Sequence, residues 1–226
     1  MVEKKTNTKS TTTKKGFISD KGVFDSFSKG WKVLFSKFWL LLLIAFLVIV
    51  IEQVVSGLFE YLGSSVYFIL GIILSILSGF FITGPIWMST NWTFLKAVRK
   101  QKVEIMNIFE VFKRNYLNAV LASVLMSIFL FIGFLLLIIP GIVLAVRFGF
   151  VHYLIMDKKM KAWQAIKTSW DMTRSCAWTI FFMAVLCIPI VIVGLLLLIV
   201  GIIPAVAWIA SSYAVLYNSV SAEYKF

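Results

Sequence analysis

Between Lys37 and Lys96 the chain carries no lysine or arginine, and the same is true between Arg174 and Lys225. Each gap has room for two membrane crossings, since a span takes about 20 residues at ~1.5 Å rise through ~30 Å of hydrocarbon. The middle gap, Arg114 to Lys158, is interrupted only by Arg147. Three gaps with two helices each predict an all-α membrane protein of six spans, at about 39–55, 66–94, 117–137, 140–156, 177–200 and 203–221. Composition agrees. Of 226 residues 61% are hydrophobic and 14% charged, whereas a soluble domain needs roughly a quarter charged to cover its surface. The net charge of +12 is divided among segments flanking the spans, which argues against a nucleic-acid-binding face.

Residues 1–16 are polar and rich in Thr and Lys, and are expected to form a disordered basic tail ahead of one six-helix domain over 17–226. The apolar run begins only at Phe38 and is too long and unbroken for a signal peptide. From Val23, the apolar residues Val23, Phe24, Phe27, Trp31, Leu34, Phe35 and Phe38 recur at helical steps with Lys29, Lys32 and Lys37 between them. That pattern predicts an amphipathic helix at the membrane interface. Ile105, Ile108, Phe109, Phe112 and Tyr116 repeat it before the third span, ending at Lys113 and Arg114. A tryptophan-bearing segment with Lys158, Lys159 and Lys161 repeats it before the fifth. The first and last copies each hold two tryptophans eight apart, Trp31 with Trp39 and Trp170 with Trp178. The expected architecture is three hairpins, each preceded by an interfacial helix.

Prolines mark the bends. Pro85, after Gly84, is expected to kink the long second span, and Pro189 to bend the fifth. Pro140 with Gly141, and Pro204 after Gly201, are expected to open the fourth and sixth spans, where a missing backbone donor costs nothing. A Ser/Gly-bearing turn is expected near Gly57 to Ser65. Apart from Arg147, every basic residue lies in the N-terminal tail, the two segments between hairpins or the C-terminal end. The positive-inside bias therefore places both termini in the cytoplasm.

Arg147 stands out. Six steps past Gly141 it lies roughly 9 Å inside the fourth span, where a charge costs at least ~2.5 kcal/mol and calls for a partner. Glu52 is the only carboxylate expected at comparable depth, so a structural Arg147–Glu52 pair is favoured over a substrate or ion site. The basic residues Lys29, Lys32, Lys37, Lys113, Arg114, Lys158, Lys159 and Lys161 are candidate contacts for anionic lipid headgroups; the alternative is that they only set topology. His152 has no second ligand at metal spacing. Cys176 and Cys187 lie eleven apart on one predicted helix, too far for a disulfide. No phosphate loop, nucleophile elbow or cofactor motif occurs, and no catalytic, cofactor or metal residue is assigned.

At Gly84-Pro85, Phe109 and Phe112, Ile139-Pro140-Gly141, Arg147, Asp157, Ala165 to Trp170, Thr173 and Ser212-Tyr213, the chain resembles a family of uncharacterised bacterial integral-membrane proteins. It is also similar to the membrane domain joined to some glycerophosphodiester phosphodiesterases. The resemblance covers about residues 20–222, although Trp208-Ile209 stands where some members have Pro-Tyr. It implies a six-helix membrane domain and brings no catalytic residue. The expected function is that of a non-enzymatic protein of a bacterial cytoplasmic (inner) membrane that organises anionic lipid or recruits a protein partner at the cytoplasmic face. The alternatives are a small permease or exporter subunit with a site near Arg147, and a membrane enzyme acting on phospholipid headgroups. The scarcity of intramembrane ionisable groups counts against both.

Overall fold

A computed structural model describes residues 21–66, 68–197 and 201–224; the expected basic tail lies outside the described residues. Among them no strand occurs, and six helices are long and apolar enough to cross a membrane: Phe38–Tyr61, Gly71–Val98, Tyr116–Leu136, Ile138–Asp157, Ala177–Leu196 and Ile202–Glu223. Leu117, Leu135, Leu136, Ile139, Trp178 and Leu196 are among many large apolar side chains left exposed. Apolar surface on that scale is stable only against hydrocarbon, as in a multi-pass membrane protein.

Helix α1 spans Lys21–Ser36 and α2 spans Phe38–Val66. The turn expected from Gly57 is helical. A side chain on Gly57 would meet nothing within 4 Å, so this glycine marks neither a bend nor a close approach. The second span is α3 (Phe68–Ser78), a π-helical stretch (Gly79–Thr83) and α4 (Gly84–Val98). Pro85 explains the irregularity. It has no N–H to give the Phe81 carbonyl one turn back and its ring crowds that turn. The orphaned Phe81 oxygen instead accepts the Tyr116 hydroxyl at 3.0 Å.

The second basic segment departs from the expected single amphipathic helix. It is a 3₁₀ turn, Ile105–Phe109, followed by the short α5, Glu110–Arg114. Ile108 and Val111 are buried while Phe109, Phe112 and Tyr116 form a ridge with ring centroids 6.5 and 5.3 Å apart. Then come α6 (Tyr116–Leu136) and α7 (Ile138–Arg147), separated by Leu137 alone. Two glycines permit so tight a reversal: a Cβ on Gly133 would sit 2.6 Å from Leu144, and one on Gly141 would enter the Phe134 ring. Pro140 is the third residue of α7 rather than the first, still inside the turn whose donors have no helical partner. The fourth span resumes as α8 (Val151–Asp157), and α9 (Ala162–Met172), α10 (Ala177–Leu196, containing Pro189) and α11 (Ile202–Glu223) complete the chain. Pro204 is likewise the third residue of α11.

At the centre α4 packs against both α8 and α11. Each of these three helices also carries one shorter segment: α1 on α11, the 3₁₀ turn and α5 on α4, α9 on α8. Helix α1 runs parallel to α11, burying Val23, Ser26, Phe27 and Leu34. The Trp208 indole donates to the Phe27 carbonyl at 2.9 Å. Gly30 meets the α11 backbone so closely that a Cβ would lie 2.8 Å from the Ser212 nitrogen. Of the apolar face that sequence assigns to the membrane surface, Val23, Phe27 and Leu34 are spent on protein. What α1 leaves exposed is a mixed face of Asp25, Lys29 and Lys32 beside Phe24, Trp31 and Phe35.

Candidate functional site

Polar side chains from three distant parts of the chain converge where α4, α8 and α11 end. Arg99, the first residue past α4, donates from both terminal nitrogens to the Asp157 carboxylate, at 2.5 and 3.0 Å. Its Nε donates to the Asn218 amide oxygen at 2.9 Å, and the Tyr217 hydroxyl donates to Asp157 at 3.2 Å. Asp157 closes α8, where the helix dipole disfavours an anion. The bidentate guanidinium offsets that cost and fixes the geometry. In the sequence Asp157 stands out only through the family resemblance and Arg99 not at all; only the convergence of the three helices identifies them as a pair.

A second cluster ties α5 to α4. Glu110 lies between Lys96 (3.2 Å) and Arg114 (2.6 Å), and both cations sit over the Trp92 ring, 3.8 and 4.8 Å from its centroid. Nearby, Lys102 and Glu104 form an exposed pair, whose mutual hydrogen bond holds the carboxyl below and the ammonium above their usual ranges.

Arg147 does not meet Glu52. Its guanidinium donates to the Trp170 carbonyl at 3.4 Å and lies 5.2 Å from the Trp170 ring centroid. Trp170 is near the C-terminus of α9, whose last carbonyls lack helical partners and attract a cation. Glu52 instead lines a small recess with Thr83 and Trp87 between α2 and α4. The expected pair fails because α9 folds back onto α8 and brings its own end to Arg147, which no estimate of depth along a single helix reveals. Ser169 completes the junction. As the helix breaks between α7 and α8, the Ser169 hydroxyl donates to the Arg147 carbonyl at 2.7 Å and accepts from the Phe150 N–H at 3.3 Å. Thr173 in turn donates to the Ser169 carbonyl at 2.8 Å. Ser169, Trp170 and Thr173 thus act together with Arg147 as one structural joint.

Among the lysines and arginine proposed for lipid contact, Lys29 pairs with Asp25, Lys37 donates to the Gln101 carbonyl at 2.9 Å and Arg114 belongs to the Glu110 cluster. Lys32, Lys113, Lys159 and Lys161 form no ion pair or hydrogen bond with a described residue. Cys176 is buried just ahead of α10, and burial pushes its thiol up to about 12 despite the nearby Arg147 charge. Among the described residues no three His, Cys, Asp or Glu side chains converge as a metal site would require.

Three larger recesses remain among the described residues; one, of about 380 Å³ beside Trp31, Pro189, Pro204 and Trp208, is lined by apolar and aromatic side chains. A groove of about 420 Å³ between α6, α7 and α9 has an apolar floor of Phe129, Leu144, Phe148 and Ile166 and a rim of Trp163, Lys167, Trp170 and Asp171. Lys167 stands 5.5 Å from the Trp163 ring centroid. A cleft of about 300 Å³ lies between α4, α8 and α11 and is lined by residues such as Trp87, Asn91, Tyr153 and Tyr213. No protein-family model, curated protein or solved structure matches the chain.

Proposed function

We propose that the chain is a non-enzymatic protein of a bacterial cytoplasmic membrane, with both termini in the cytoplasm, that holds anionic phospholipid beside its amphipathic segments. The observation that carries this reading is the groove along α9. Its apolar floor suits an acyl chain, and Lys167, seated on Trp163 at the rim, suits a phosphate. Basic and tryptophan side chains side by side are the usual equipment of a headgroup boundary. The unpartnered Lys32, Lys159 and Lys161 extend the same chemistry, whereas Lys29, Lys37 and Arg114 already have protein partners. Support for a permease built on Arg147 weakens, since that guanidinium is engaged by α9. A headgroup enzyme needs convergent ionisable groups, and the polar network at Arg99 and Asp157 is already satisfied within itself.

The test is the lipid retained by purified protein. With Lys167, Lys159 and Lys161 changed to Gln, co-purifying phosphatidylglycerol should fall severalfold relative to phosphatidylethanolamine, with insertion unchanged. Equal retention would leave the lysines only a topological role. Orientation is checked separately with single cysteines at Glu60 and Lys102 in a background lacking Cys176 and Cys187. An impermeant thiol reagent on intact cells should label position 60 alone.

A further inference from the structure

The groove along α9 is edged by one face of that helix. Trp163, Lys167, Trp170 and Asp171 follow one another at helical steps, so they stand in a row along the opening. Two of them carry opposite charges that are not spent on each other. Lys167 leans on the Trp163 ring, 5.5 Å from its centroid, and forms no ion pair or hydrogen bond with a described residue. Asp171 reaches Arg174 at 3.9 Å, with side chains 56% and 69% exposed, and a pair so long and so exposed contributes little. The position of Asp171 is the unusual part. It lies in the last turn of α9, where the free carbonyls of the helix disfavour an anion. The carboxylate therefore weakens the helix that carries it, and it does so at the rim of the groove.

From these features we infer that the groove selects, among anionic phospholipids, a phosphodiester whose outer substituent is an uncharged polyol, as in phosphatidylglycerol. The inference rests on the reading of this groove as a lipid site. Lys167 takes the phosphate, and the Asp171 carboxylate accepts hydrogen bonds from the headgroup hydroxyls. The same carboxylate turns away a headgroup that carries a second negative charge. One helical turn separates the two side chains, roughly 6 Å of rise, a step that a phosphate and a three-carbon alcohol span. Hydrogen bonds to a carboxylate are charge-assisted and strong, and like charges at that separation repel appreciably away from bulk water. An ethanolamine headgroup also offers donors to Asp171. However, Arg147 over Trp170 and Arg174 beside Asp171 leave the rim with more cations than anions, which favours a guest of net negative charge.

The experiment uses the full chain, delipidated in detergent, with four dioleoyl lipids added in equal amounts. Phosphatidylglycerol is compared with phosphatidylpropanol, which keeps the phosphodiester and three carbons but lacks the hydroxyls, with phosphatidylglycerol phosphate, which adds an outer charge, and with phosphatidylethanolamine. Native mass spectrometry reads the share of protein bound to each. Phosphatidylglycerol should exceed phosphatidylpropanol about fivefold and phosphatidylglycerol phosphate about fivefold. Asp171→Ala should leave the unliganded protein at least as stable, bring phosphatidylglycerol down to the level of phosphatidylpropanol, and let phosphatidylglycerol phosphate bind as well as either. Lys167→Gln should lower all three anionic lipids severalfold relative to phosphatidylethanolamine. If Lys167→Gln has that effect but the wild type binds the three anionic lipids equally, or Asp171→Ala leaves their order unchanged, the selectivity is overturned and the lipid site stands. A loss confined to phosphatidylethanolamine in Asp171→Ala would also overturn it, since Asp171 would then hold an ammonium. Anionic binding indifferent to Lys167→Gln would remove the lipid site and this inference with it.

Discussion

Arg99 and Arg147 belong to the same bundle and differ in almost every physical respect. Arg99 sits in a crowded basic run, yet it makes a bidentate pair with Asp157 and a further bond to Asn218, joining α4, α8 and α11. Arg147 is isolated in an apolar stretch, yet it makes one long bond to a carbonyl and leans on one ring. Isolation in sequence therefore measures how unusual a charge is. It does not measure how much structure depends on that charge, which is set by the number and geometry of partners and by what would be left unpaired without them.

The most direct way to break this contrast is Asp157→Asn. Losing the carboxylate leaves a largely enclosed guanidinium with only neutral acceptors, the amide oxygens of Asn218 and of the new side chain at 157. Melting in detergent should report a loss of about 3 kcal/mol, and Arg99→Met combined with it should cost clearly less than the sum. Strict additivity would show that the network is ornamental.

Tyr116→Phe sharpens the comparison with an uncharged partner. It strips the Phe81 carbonyl of the donor that replaces the missing Pro85 N–H, at a cost of about 1.5 kcal/mol. In a Pro85→Ala background the backbone donor returns, so the same change should have little effect. An undiminished cost there would sever the link between the proline and the tyrosine.

Arg147→Gln should cost about 1 kcal/mol, the scale of a cation at a helix C-terminus. Glu52→Gln should add to it independently, within about 0.5 kcal/mol. A coupling larger than that would restore the pair that the fold places apart.

The smallest effect is expected next to Arg99. Lys100 follows it with φ of 56°, the left-handed conformation that ends α4. The Lys100 and Gln101 N–H groups donate back to Ala97 and Lys96 at 3.1 and 2.9 Å, a helix-terminating turn that glycine adopts without strain. Lys100→Gly should raise stability by about 0.5 kcal/mol, and a lower melting temperature would mean that the Lys100 side chain itself supports the Arg99 corner.

Spacing of basic residues determined the six spans, because the hydrophobic cost of placing Lys or Arg in hydrocarbon acts locally and leaves a gap legible in one dimension. Local covalent chemistry fixed the positions of Pro85, Pro140 and Pro204 in the same way, since a missing N–H is a property of the residue wherever it lies. The lone Arg147 was visible too, but its partner was not. Tertiary structure decided that partner, the meeting of Arg99 with Asp157 fifty-eight positions away, and the packing of α1 on α11. Each depends on the relative placement of helices from separate parts of the chain. In a membrane, where apolar faces gain little from meeting one another rather than lipid, that placement is set by close packing at residues such as Gly30 and by polar contacts between helices. Those contacts have no period or spacing to read along a sequence.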